Sequence, residues 1–543
     1  MLLRAIAFAT ALLASPFASF GAAGACAPAP RASACIQAAL DSLDAGEILK
    51  LGPGEYGLEA ALQLTRPGVA LEGSGDATLL RRAVSVKDGE GVINLRGSGQ
   101  ALRRFRFDGG ITEPRRIPYV DPAGGPSVFG APIYANPMHP DLLRDTSITV
   151  HREASKVLIE GLTIEHTGGY AIFLDARYGD IREVWIRGCT LRNNRPHLFG
   201  RAAQNGRPED LRYGAWTGGI HYQNDGRDLP FARYALRGLR VEDCTFERIA
   251  GHAFWGHGYG FQTLNEDIRV ERCRFTDIGL DAVQIGNARR AVVADNQMRR
   301  IGYVTESDDD LGRPAWYPGN REDMADNVPP VAIDTTGLVS ESAYRANELQ
   351  SVNGTAIDLD GFTRGEVVGN RIGIPGREAA YAAVVDRIVE FGPYLPAKEP
   401  SPPGNLTKGI NLSNTSAIEA THKVRIAGNR LINLGGYAML IIDSQDGLIE
   451  GNEIRHYSML NGPIVLANSL REPKDRHETS GNLIRENVIF FPWQAACVTE
   501  GDNIGGGDLP VRGPNYVYAN ECNGELGELM PGRASGSRNA PPP

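Results

Sequence analysis

Three aspartates in this 543-residue chain have the makings of an acid–base site. Asp334 ends the segment Val331-Ala-Ile-Asp334, and Asp358 and Asp360 end Ala356-Ile-Asp358-Leu-Asp360. Carboxyl groups only a few ångströms apart resist ionising together, so one of them is expected to hold its proton near neutral pH. A carboxylic acid beside a carboxylate can protonate a leaving group while its neighbour acts as base or nucleophile. His257, in Gly256-His257-Gly258, is a histidine that could shuttle a proton beside them. Whether these groups meet depends on the elements that hold them.

Those elements are read from a repeat. Ile159-Glu-Gly-Leu162-Thr-Ile164, Val241-Glu-Asp-Cys244-Thr-Phe246 and Val270-Glu-Arg-Cys273-Arg-Phe275 share one pattern with Tyr344-Arg-Ala-Asn347-Glu-Leu349, Ile426-Ala-Gly-Asn429-Arg-Leu431 and Ile449-Glu-Gly-Asn452-Glu-Ile454. Each reads as a short alternating strand with Leu, Cys or Asn at one fixed place. Cys189, Asn296, Asn370, Asn487 and Asn520 stand in similar contexts. Nine residues after the marker comes alanine: Leu162 to Ala171, Cys244 to Ala253, Cys273 to Ala282, Asn347 to Ala356, Asn429 to Ala438 and Asn487 to Ala496. The unit, strand-turn-strand-turn, leaves no room for a crossover helix and predicts a solenoid. Stacked coils superpose equivalent positions. The Asn markers then form a hydrogen-bonded ladder, and Cys189, Cys244 and Cys273 a buried thiol ladder used for packing. Cys497 and Cys522 read as inward packing residues, and Cys26 and Cys35 could form a disulfide.

The N-terminal region completes the pattern. Cys35 to Leu43 reads as a short amphipathic helix capping the first coil, followed by Ile48-Leu-Lys-Leu-Gly-Pro-Gly-Glu-Tyr56 and Val69-Ala-Leu-Glu-Gly-Ser-Gly75. A capping helix, a Leu-Gly-Pro-Gly-Glu-Tyr strand and Asn-marked coils over residues 35–525 resemble the pectate-lyase-like superfamily. The resemblance implies an all-β, right-handed parallel β-helix. It leaves the reaction open, because that superfamily includes lyases, hydrolases, epimerases and phage spikes.

With side chains alternating across each strand, the second strand of every coil yields two outward columns. The first reads Phe173, His221, Trp255, Gln284, Asp334, Asp358, Asn411, Leu440, Val465, Val498. The second reads Asp175, Gln223, His257, Gly286, Thr336, Asp360, Ser413, Ile442, Ala467, Glu500. Six consecutive coils thus expose His, Trp, Gln, Asp, Asp and Asn between apolar neighbours, where a merely solvated face would scatter Lys, Glu, Ser and Thr. Asp334 and Asp358 become direct neighbours at about 4.8 Å of backbone spacing, and Asp358 and Asp360 lie about 6.6 Å apart on one strand. Retaining glycosidases hold their carboxyl groups about 5–5.5 Å apart and inverting ones about 6.5–9.5 Å, so both outcomes stay open. Asp334, Asp358, Asp360 and His257 are the expected catalytic residues. His221, Gln223, Trp255, Gln284, Asn411 and the lip residue Asp281 are the expected sugar-binding ones. A Gly-His-Gly segment also occurs in polygalacturonase-type hydrolases of the superfamily. There it follows an Asp pair and precedes Arg-Ile-Lys, whereas here it precedes the Asp coils and no Arg-Ile-Lys follows.

Insertions at residues 109–147, 193–217, 302–330 and 373–408 are expected to wall this face as functional loops. The acidic run Glu306-Ser-Asp-Asp-Asp310 could hold calcium; no other cofactor is expected. Met1–Arg4, the apolar stretch Ala5–Leu13 and the small residues to Ala25 read as a secretory signal peptide cleaved before Cys26, with lipoprotein anchoring at Cys26 as the alternative. The mature chain is expected to be one β-helix domain over residues 26–528 with a disordered tail at 529–543, secreted or periplasmic, without a membrane span. The net charge of −9 and the absence of a basic stripe, with only seven Lys among 56 basic residues, exclude nucleic acid as partner. The expected partner is a polysaccharide or oligosaccharide, on a monomer or homotrimer. The acidic columns favour glycoside hydrolysis. A lyase or uronate epimerase, which needs a base such as His257, Tyr437 or Lys408, is the alternative, and a non-catalytic glycan-binding surface protein the third reading.

Overall fold

The computed structural model describes residues 26–86, 89–111, 145–194, 218–224, 233–249, 251–256, 264–302, 331–352, 354–373, 409–412, 421–432, 437–456, 462–468, 478–491, 497–500, 511 and 513–523, and the backbone alone of strand residues 21–23, 116–118, 198–201, 210–213, 408, 413, 433 and 525–527. The putting-together of these strands is parallel nearly throughout, each pairing with its equivalent one coil away. Leu236–Glu242 pairs with Ile181–Arg187, Thr245–Ile249 with Thr190–Asn194, and Phe254–Gly256 with Gly218–Gln223. The chain is therefore a right-handed parallel β-helix, the hand that parallel crossovers almost always take.

Among the described residues the coils have three main strands rather than the two read from the sequence, and several add a fourth of two residues, such as Asn265–Glu266, Phe362–Thr363 and Thr421–His422. The residue before every marker takes a left-handed conformation: Gly161, Gly188, Asp243, Arg272, Asp295, Ala346, Gly369, Gly428, Gly451, Glu486 and Ala519 all have φ between 51° and 67°. One such residue turns the chain sharply, splitting the marker segment into two strands on two sheets. The left-handed residue drops out of the alternation: inward Ile159 and Leu162 stand three residues apart, as do Val241 and Cys244, so the two halves of a marker segment each keep a period of two but are offset by one residue.

The markers themselves sit buried at this corner. From Asn296 through Asn347, Asn370, Asn429, Asn452 and Asn487 to Asn520, each Nδ2 donates to the next Oδ1 at 2.8–3.0 Å. Each Oδ1 also accepts the preceding marker's backbone N–H. Asparagine suits the place because it offers acceptor and donor at once. Cys189, Cys244 and Cys273 continue the stack as buried free thiols, and the Cys273 N–H donates to Asn296 Oδ1 at 2.9 Å.

The core is one continuous apolar column inside the coils, closed at its first turn by the helix Ser33–Ser42, which buries Ile36 and Leu40. Cys26 and Cys35 form a disulfide beside this cap. Cys497 and Cys522 also form a disulfide, which corrects their reading as separate packing residues. Cys497 stands just before the strand Val498–Glu500 and Cys522 ends the strand Asn520–Cys522, 25 residues on, and the two reach a Cα distance of 6.0 Å. The strand Gly21–Ala23, within the expected signal peptide, pairs along Ile48–Lys50. Among the described residues no helix is long and apolar enough to cross a membrane. Of the insertions, short strands at Arg116–Pro118, Leu198–Arg201 and Asp210–Tyr213 form a separate small sheet. The acidic run at 306–310, Trp216, Trp316 and the tail lie outside the described residues.

Candidate functional site

The first outward column assembles as expected. Phe173, His221, Trp255, Gln284, Asp334, Asp358, Asn411, Leu440 and Val465 are successive ladder partners. Thr149 and Asn94 extend the column toward the N-terminus. At the last coil the register differs by one: Val465 pairs with Thr499, while Val498 pairs with Ile464 and packs in the core. The run Ala495-Ala496-Cys497-Val498 has no polar residue to mark the outward parity, which is why alternation misplaced it. The same step removes Glu500 from the second column, since its partner is Leu466. In that column Asp175–Gln223, Gly286–Thr336, Asp360–Ser413 and Ile442–Ala467 are partners. His257 lies outside the described residues. The first glycine of its Gly-His-Gly segment has a packing reason: a Cβ on Gly256 would lie 2.1 Å from the Tyr222 hydroxyl. That hydroxyl in turn donates to the Gly286 carbonyl and accepts the Gly286 N–H, both at 3.0 Å.

The acids occupy unequal environments. Asp334 is buried and accepts a hydrogen bond from Gln284 Nε2 at 2.5 Å. Burial raises its pKa well above the usual carboxylate range, and the charges of Asp281 and Asp358 add to that; the Gln284 bond works the other way. Asp358 is half-buried, and Asn411 Nδ2 donates to its Oδ1 at 2.9 Å. Asp360 is also half-buried. Its backbone is clamped by Thr335, whose hydroxyl accepts the Asp360 N–H at 2.6 Å and donates to its carbonyl at 2.9 Å. The face thus carries one acid that resists ionisation directly beside a more accessible carboxylate.

Asp281 is almost fully buried at the lip of the strand, and both its oxygens touch protein. The Val331 N–H donates to Oδ1 at 2.8 Å, and His252 Nδ1 lies 2.9 Å from Oδ2. The second contact has hydrogen-bond length without hydrogen-bond alignment, so Nδ1 makes no linear bond. His252 was not singled out from the sequence. The available signal was that it precedes Ala253 as Asp281 precedes Ala282, which places both on the same lip.

The aromatic members of the column stack on one another. The His221 ring lies 4.3 Å from Trp255 and 5.3 Å from Phe173, nearly parallel to both, and His252 stacks on Trp255 at 5.2 Å. His221 Nδ1 is fixed against the Trp255 carbonyl at 3.0 Å. Tyr170, Phe173 and Trp255 form an apolar cluster separate from the core. Phe173 and Trp255 point away from the core, as alternation requires, yet all three rings are buried, and Gln223 with them. Arg177, two residues past the column strand, also returns to this face and forks onto Asp175 with contacts of 2.7 and 2.9 Å. The sequence columns contained no cation because Arg177 lies beyond the strand's last alternating position.

Among the described residues, several buried polar atoms on or beside this face have no hydrogen-bond partner: Thr149 Oγ1, Tyr170 OH, Gln284 Oε1 and Asn411 Oδ1. Such atoms are rare in folded proteins unless water or a ligand completes them. Among the described residues one group could also offer metal ligands, namely Asp108, Glu165 and His166. It lies on other strands, and Arg81 on Asp108 with Arg106 and Arg192 on Glu165 already supplies the positive charge.

No protein-family model matches the chain, and no curated protein matches it. Solved structures do. The chain is similar to the Dettilon tailspike protein, at 13% identity over 83% of this chain and 67% of that one, with a TM-score of 0.39. It is similar to a PL6 alginate lyase solved with a trisaccharide, at 9% identity over 92% and 84%, with a TM-score of 0.43. It is similar to the GH136 lacto-N-biosidase of Eubacterium ramulus, at 13% identity and a TM-score of 0.46, covering 83% of this chain and 64% of that one.

Proposed function

We propose that this chain is a glycoside hydrolase with Asp334 as general acid and Asp358 as the second carboxylate. The observation behind this reading is the pairing of a buried, proton-retaining Asp334 with a half-buried Asp358 on the adjacent strand. Asp334 would protonate the glycosidic oxygen as the bond breaks. Asp358, oriented by Asn411, would attack the sugar carbon or activate water. Direct ladder neighbours at about 4.8 Å favour the shorter carboxyl separation and hence retention of configuration. Asp360 would be the partner if configuration inverts. Gln284 and Asn411, each with an unpaired buried oxygen, would accept from sugar hydroxyls. His257 is the candidate for proton shuttling, while Gln223 is buried away from the accessible section. An N-terminal apolar stretch together with two disulfides supports an exported protein.

The test is product mass after incubation with a panel of neutral and acidic glycans. Products heavier by one water, and their absence with Asp358→Asn at unchanged thermal stability, are the expected result. Products lacking that water and absorbing as unsaturated uronates would replace this reading with a lyase. A base would then be sought at Lys408, whose backbone pairs with Thr355 at the same lip.

A further inference from the structure

We infer that the outward face is a pocket closed at both ends, built to take the terminus of an uncharged glycan rather than the middle of a long chain. The inference rests on the hydrolase reading for its reaction and on burial along the column for its shape. Toward the N-terminal end, Asn94, Thr149 and Phe173 are fully buried, and His221 and Trp255 are 2% and 4% exposed. Their rings lie against one another, so none of these three offers an open face on which a sugar could stack. The second column is closed at the same level, with His151, Asp175 and Gln223 all buried. Toward the C-terminal end, Leu440 and Val465 are buried in a separate apolar cluster with Tyr437. Between these blocks Gln284, Thr336, Asp358, Asp360 and Asn411 stay partly accessible. From Gln284 to Asn411 the ladder crosses three strand spacings of about 4.8 Å. That is roughly 14 Å, room for about two or three pyranose rings.

Charge selects among such termini. The accessible section carries Asp358 and Asp360 with Asp281 at its lip, and among the described residues Arg177, which returns to this face, is engaged by Asp175. A uronate would enter against like charge, whereas an uncharged sugar would meet hydrogen-bond acceptors.

Two measurements decide this. In a time course on a neutral polymer that the enzyme cleaves, one short product should form from the outset while the viscosity of the polymer persists. An early ladder of intermediate lengths, or faster cleavage of a uronate-bearing chain, would overturn the inference while leaving hydrolysis standing. Independently of any substrate, the folded protein can be oxidised with N-bromosuccinimide and mapped by mass spectrometry. Trp185, 43% exposed, should be modified and Trp255 spared. Oxidation of Trp255 at the rate of Trp185 would mean that the N-terminal end is open. If no glycan is cleaved, the hydrolase reading fails and the oxidation map alone decides the shape of the face.

Discussion

Replacing Asp334 with asparagine should make the protein more stable and nearly inactive, with the gain growing as pH rises. Asparagine keeps the oxygen that accepts from Gln284 Nε2 and cannot ionise. In the wild type the folded-state pKa of Asp334 is raised, mainly by burial and then by Asp281 and Asp358. Below the unfolded-state value of about 3.9, both states hold the proton and nothing is lost. Above it the unfolded chain releases the proton while the folded chain keeps it, so stability falls as pH rises. One proton corresponds to a slope of about 1.4 kcal/mol per pH unit, which ends where folded Asp334 itself ionises. The variant lacks this slope. Its melting temperature should therefore pull away from the wild type between about pH 4 and the alkaline limb of activity. Loss of a general acid should lower the rate by about 10²–10⁴-fold. The assay is thermal unfolding of both proteins across pH. A difference in melting temperature that stays constant from about pH 4 to about pH 8 would refute the claim that Asp334 holds its proton in the fold.

Asp281→Asn removes a charge that helps Asp334 stay protonated, so the alkaline limb of kcat/KM should move to lower pH while the fold persists; an unmoved limb would detach Asp281 from the acid. Asn370→Ala removes the acceptor for the Asn347 N–H and Nδ2 and the donor to the Tyr344 carbonyl. At about 1–3 kcal/mol for each buried group left unpaired, it should cost about 3 kcal/mol or more, read as a lower denaturation midpoint. Cys497→Ser opens a loop closed over 25 residues. Chain entropy puts that loss at about 3–4 kcal/mol, read as a lower melting temperature, and reductant should lower it further in the variant by opening Cys26–Cys35.

The sequence by itself determined the coil and its register. The nine-residue step from marker to alanine correctly fixed Phe173, Trp255, Gln284, Asp358 and Leu440 in the first column, because the period of two in a strand survives whatever packs around it. The likeness of Val331-Ala-Ile-Asp334 to Ala356-Ile-Asp358 then put Asp334 beside Asp358 across an insertion of unrelated sequence. The Asn ladder was legible for the same reason: identical residues at one offset must stack in a solenoid. Local alternation was silent at the apolar run before Val498, and its one-residue offset at the left-handed residue that divides each marker segment is too short to separate from a single strand. Tertiary structure alone decided the environment. Trp255 and His221 face away from the core, yet their burial depends on what lies over them, which no strand period encodes. The Cys497–Cys522 pairing, the return of Arg177 to Asp175 and the contact of His252 with Asp281 join residues through stacking geometry. The proton held by Asp334 follows from that same burial. Sequence placed the carboxyl groups side by side, and the fold made them unequal.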